Sequence, residues 1–316
     1  MNPIVQYVLE VVVLPAVIAT VAFSPFFFPP LRRRAWRVEA AVGTVFALTF
    51  LLSFITELDH RAVLRQVIAI EGDDAPFERW HRLGLVALLL IPAAWTLGFA
   101  RRRSSTSRGM MSTLGYALVI AILCAMFVIF PGSSPLVQIG QGVLIMASIF
   151  AWLLTNQAVL WSAWVVFGVL AGLAGLGGFA SLAVMCGALS VAGFGSAFLA
   201  GVGARSALQI DPVRSAGALA IVLGTLTALI ARCGMAYDTT GVSPAAWLAA
   251  ALLPLASVAF SGRFRRAERN SGRTFWAWLG VAIVAIALLG LVGWQQSTKE
   301  AASDGGGDDY SDMYGG

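Results

Sequence analysis

Between Ile4 and Trp294 apolar residues run along the chain in blocks of about 20, separated by short polar links and without the two-residue alternation of strands. About 20 residues at 1.5 Å rise cross a hydrocarbon core of about 30 Å, so each block has the length of a membrane-spanning helix. Backbone groups in lipid must bond within their own segment, which makes helix the conformation open to such blocks. The pattern predicts an all-α, polytopic integral membrane bundle of about ten transmembrane helices, over residues 4–28, 38–56, 83–100, 110–130, 136–155, 158–176, 179–203, 216–236, 244–260 and 275–294. The stretch 136–203 carries no charge, and its turns are expected at Thr155-Asn156-Gln157 and Gly177-Gly178.

Composition agrees with a lipid environment. The chain is 59% hydrophobic and only 12% charged, where about a quarter is charged in a soluble domain, and its mean hydropathy is +0.82. The net charge of +5 changes the picture through its distribution. Arginines collect in alternate links: Arg32, Arg33, Arg34 and Arg37; Arg101, Arg102, Arg103 and Arg108; Arg205 and Arg214; Arg263, Arg265, Arg266, Arg269 and Arg273. Positive links stay cytoplasmic, and ten crossings put all four clusters on that side with both termini extracytoplasmic. The expected location is a bacterial-type plasma membrane. The first apolar block has neither a basic n-region nor a small-residue cleavage site and reads as a retained span. The clusters are small and lack interleaved aromatics, so they fit anionic lipid headgroups and not nucleic acid.

Two segments depart from the short links. The loop 57–82 contains both histidines, and its Asp59, His60, Asp73, Asp74 and His81 are candidates for an extracytoplasmic binding loop, since carboxylates and imidazoles suit a divalent cation. Residues 295–316 form a Gly/Asp/Tyr-rich tail with almost nothing to bury, and the composition predicts disorder there.

Within the spans ionisable groups are few, and each is a functional candidate because charge is costly in hydrocarbon. Glu10 and Arg232 fall at similar depth near the outer face, which predicts an intramembrane ion pair. Glu39, beside Arg37, is expected at headgroup level. Among neutral groups, Gln138 and Gln141 stand three apart on the fifth span and are candidates for a polar path; most other hydroxyls, such as Ser148 and Thr227, are expected to bond between helices. Small residues stand four apart at Gly168 and Gly172, at Ala171 and Gly175, and at Gly193, Ala197 and Gly201, which predicts that the sixth and seventh spans are a tightly packed inner pair.

Cys124, Cys186 and Cys233 lie inside spans with no CxxC spacing, and default to reduced thiols. No nucleotide-binding, zinc-protease, serine-hydrolase or calcium-loop motif is present, so no catalytic residue, cofactor or metal ligand set can be named. The lipid bilayer is the expected partner, with other membrane subunits as further candidates and no small-molecule ligand identified. Size, span parity and buried neutral polar groups point first to a permease or facilitator of a small solute without strong ion coupling. The absence of a midplane carboxylate, with the loop and tail, fits a non-catalytic subunit or scaffold. A membrane-embedded enzyme would require the acids and histidines of the outer loop to converge.

Overall fold

A computed structural model describes residues 13–23, 35–57, 82–101, 106–130, 133–155, 159–205, 217–263 and 270–304. Among them the regular elements are helices: α1 (Leu14–Phe23), α2 (Ala35–Glu57), α3 (Leu83–Arg101), α4 (Thr106–Phe127), α5 (Pro135–Leu154), α6 (Val159–Leu176), α7 (Ala180–Arg205), α8 (Gly217–Tyr237), α9 (Pro244–Leu252), α10 (Pro254–Arg263) and α11 (Asn270–Asp304). Seven are long and apolar enough to cross a membrane, and the apolar run Met111–Phe127 of α4 is a shorter eighth. The protein is an all-α, multi-pass membrane bundle.

The bundle is built around α8. Burial inside the protein covers 89% of its span but only 22% of Leu279–Lys299 in α11. Helix α8 is flanked by α2, α3, α4, α5, α6 and α9. Its small residues permit the approach. A Cβ built on Gly224 would lie 2.5 Å from both the Cα and the backbone nitrogen of Ile149 in α5, so the two backbones touch there.

Helices α6 and α7 form the most extensive pair, joined by Gly177 and Gly178; Gly178 adopts φ +74°, the left-handed region that favours glycine. A Cβ on Gly193 would come within 2.7 Å of the backbone nitrogen of Trp164, and Ser190 Oγ donates to Trp164 O at 2.8 Å. Close packing is thus present, but the pair is not the centre: 56% of each span is buried, against 89% for α8. Part of the glycine stripe faces outward, since a Cβ on Gly175 would meet nothing. Phe194 and Phe198 lie at the surface beside Trp161 and Trp164.

Two boundaries correct the sequence reading. The block 244–260 is two helices, broken at Leu253, because Pro254 has no N–H to continue the ladder; Leu253 N instead closes a tight turn to Ala250 O at 3.3 Å. Helix α11 runs on to Asp304, ten residues into the segment expected to be disordered (295–304). Its extension is anchored by Lys299, whose Nζ donates to Gly241 O at 2.7 Å. Residues 305–316 lie outside the described residues.

Candidate functional site

Polar groups inside the bundle concentrate where α9 breaks. Ser148 Oγ on α5 lies 2.7 Å from Thr227 Oγ1, the middle residue of α8, and 3.1 Å from Ala251 O near the end of α9. Trp152 Nε1 donates to Thr227 Oγ1 at 3.3 Å. Thr227 Oγ1 also reaches Leu223 O at 2.8 Å and Gly224 O at 3.2 Å in its own helix, so with one proton per hydroxyl Thr227 donates back along α8 and accepts from Trp152, while Ser148 has one proton for Thr227 Oγ1 and the Ala251 carbonyl. Three helices are thereby joined through neutral groups, all three side chains being buried. The cluster has no titratable member, so it can hold a helix break together but cannot carry a proton or a charge.

Gln138 and Gln141 part company. Gln141 is 2% exposed, and its Nε2 donates to Val128 O at 3.0 Å, just past the C-terminal end of α4, and to Cys124 O at 3.3 Å, which also accepts from Val128 N at 2.9 Å. Gln138 instead lines a lateral groove of about 500 Å³ between α4 and α5, otherwise walled by apolar residues including Leu118, Ile122, Met126, Ile139 and Val143. We expect Gln141→Leu to strip the buried Val128 carbonyl of this donor and to destabilise the protein by about 1–3 kcal/mol, while Gln138→Leu shifts thermal unfolding in mild detergent far less. Equal shifts would refute the assignment of Gln141 to α4.

The same end of the bundle gathers two arginines. Arg82 Nη1 donates to Phe127 O at 3.0 Å and its guanidinium lies 5.0 Å from the Phe127 ring centroid. Arg232, half-buried, places its guanidinium 5.5 Å from the Phe130 ring centroid, and its Nη2 donates to Ser133 Oγ at 3.4 Å. Its expected partner Glu10 lies outside the described residues, as do Asp59, His60, Asp73, Asp74 and His81. Glu39 is buried within the protein.

A clasp at this end went unread in the sequence. Asp238 Oδ1 accepts from Thr240 N at 2.9 Å and Gly241 N at 3.1 Å, and Thr239 N reaches across to Gly177 O at 3.2 Å. Thr240 Oγ1 donates to Leu176 O at 2.8 Å, tying the α8–α9 link to the end of α6. The run Asp238-Thr239-Thr240-Gly241 is turn chemistry that could have announced it. Among the described residues no group of three His, Cys, Asp or Glu is placed to hold a metal ion, and Cys124, Cys186 and Cys233 are buried and in no disulfide.

No protein-family model matches the chain, and neither the curated proteins nor the solved structures contain a significant match.

Proposed function

We propose that the protein is a non-catalytic subunit or assembly scaffold of a membrane complex, set in a bacterial-type plasma membrane with its arginine-flanked helix ends in the cytoplasm and both termini outside. The observation that carries this reading is the packing of α8. The helix that would have to line a central pathway is buried on 89% of its span, its midpoint hydroxyl is engaged by Ser148 and Trp152, and Gln141 is held on the backbone of α4. Among the described residues, the groove between α4 and α5 is apolar and lies on the flank, where it offers no path to a polar solute.

A permease is the second reading, favoured by one observation: the α9–α10 break beside Thr227 has the form of the discontinuous helices that carriers use near the midplane. Against it, Ser148 Oγ lies 3.1 Å from the Ala251 carbonyl beside the break and competes with a substrate for it. The two readings separate in one experiment. Removal of the chain from its native membrane should lower the abundance of one defined membrane protein several-fold, and that protein should co-purify with the tagged chain in fixed stoichiometry. A chain that purifies alone, whose loss alters no other membrane protein and which supports solute flux in reconstituted vesicles, would sink the scaffold reading.

A further inference from the structure

We infer that the α4–α5 groove is a binding site for one glycerophospholipid with an anionic head, its acyl chain in the groove and its phosphate at Arg232 and Ser133. The groove has the size of a ligand pocket, about 500 Å³ within the usual range of about 300–1,000 Å³. Its walls are branched and sulfur-containing apolar side chains, and several project outward: Ile139 is 64% exposed and Met126 70%. Helices α4 and α5 form the floor, approaching closely where a Cβ on Gly142 would sit 3.5 Å from the Ala125 Cβ. In a membrane-spanning bundle such a channel is filled by hydrocarbon, and its one polar lining residue, Gln138, stands near the rim beside Pro135.

The rim supplies what a headgroup requires. Ser133 precedes Pro135 by two residues, so their Cα atoms are at most about 7.6 Å apart. Ser133 Oγ in turn lies 3.4 Å from Arg232 Nη2. Arg232 is five residues from the end of α8, about 7.5 Å of helix, a depth from which a guanidinium reaches the interface. Among the described residues its polar partner is the Ser133 hydroxyl, against the five donors a guanidinium carries. The rim also carries the N-terminal end of α5, whose positive dipole end favours negative charge, although Ser134 already caps Val137 N and Pro135 has no N–H to offer. Gln138, one turn down, is at the level of the glycerol esters. Acyl chain, ester and phosphate thus meet groove, amide and guanidinium in that order. Charge complementarity selects the lipid over a partner helix, which would bring apolar side chains to the arginine.

Native mass spectrometry of the full chain released from nanodiscs containing equal phosphatidylglycerol and phosphatidylcholine is the test. The wild type should retain one phosphatidylglycerol in preference to phosphatidylcholine. Arg232→Gln should reduce that preference roughly tenfold, the size of one lost charge-assisted hydrogen bond, and Arg232→Lys should restore much of it. Ile139→Trp, which fills the groove from a lipid-facing position, should reduce retention of both lipids without unfolding the protein. Should Arg232→Gln fail to fold, Ser133→Ala and Gln138→Leu supply the same reading. Equal retention of the two lipids by the wild type, or retention untouched by Ile139→Trp, would overturn the site. Loss of folding in Glu10→Gln matching that of Arg232→Gln, with lipid preference intact in Ser133→Ala and Gln138→Leu, would assign Arg232 to Glu10 and also overturn it. A photo-crosslinker at Ile139 that captures a protein helix in place of lipid would do the same.

Discussion

Gly224→Ala should prevent the bundle from forming as a monodisperse particle, although it adds a single methyl group. The new Cβ would stand 2.5 Å from the Cα and nitrogen of Ile149, and neither atom belongs to a side chain that can rotate away. Helices α8 and α5 would have to separate, breaking the Ser148–Thr227 contact three residues further along α8. Overpacking by one methylene commonly costs about 1–3 kcal/mol, and more where backbone must move. In lipid this matters doubly, since close packing and interhelical hydrogen bonds, and not expulsion of water, hold helices together. Gly140→Ala is the matched control: it makes the same change in α5, where a Cβ would meet nothing within 4 Å, and should leave the unfolding midpoint within a small surface effect of about 0.5 kcal/mol. The comparison is read as thermal unfolding and size-exclusion profile in mild detergent. Equal behaviour of the two variants would mean that α5 and α8 do not touch at Gly224.

That contact illustrates which parts of the protein were legible in its sequence. Helical class was legible because apolar block length is dictated by the bilayer, and the turn at Gly177-Gly178 because two adjacent glycines interrupt an otherwise uncharged run. The order of helices from centre to rim was not. In water a buried face is marked by its apolarity, but in lipid both faces are apolar, and the mark that remains is small residue size. Glycine density pointed to α6 and α7; Gly193 does pack against Trp164, yet Gly175 opens outward, so density alone does not rank burial. Gln138 and Gln141 failed to act as a pair for a geometric reason. Three residues turn a helix through about 300°, leaving the two side chains about 60° apart, enough to send one to the backbone of α4 and the other into the groove. Arg232 and Ser133 are separated by 99 residues, and no local pattern announces that meeting.

The last expected result concerns Trp247, which wedges the clasped end of the bundle. Its indole is 1% exposed; it packs over Gly234 of α8 and lies 3.5 Å from where a Cβ on Gly177 would be, so one ring spans α8, α9 and the α6–α7 turn. Trp247→Ala should cost about 3–5 kcal/mol, the range for emptying a buried aromatic site. Gly234→Ala should also destabilise, because its methyl would overlap the indole ring. Unlike Gly224, however, the obstacle here is a side chain, and that predicts coupling. In the Trp247→Ala background the Gly234 methyl enters the space the ring has left, so Gly234→Ala becomes neutral or stabilising. The four unfolding midpoints form a double-mutant cycle whose interaction energy should be about 1–3 kcal/mol in favour of the double variant. If Gly234→Ala carried the same penalty with and without the indole, its cost would arise from α8 itself, and Trp247 would not be the group that sets how closely α9 approaches α8.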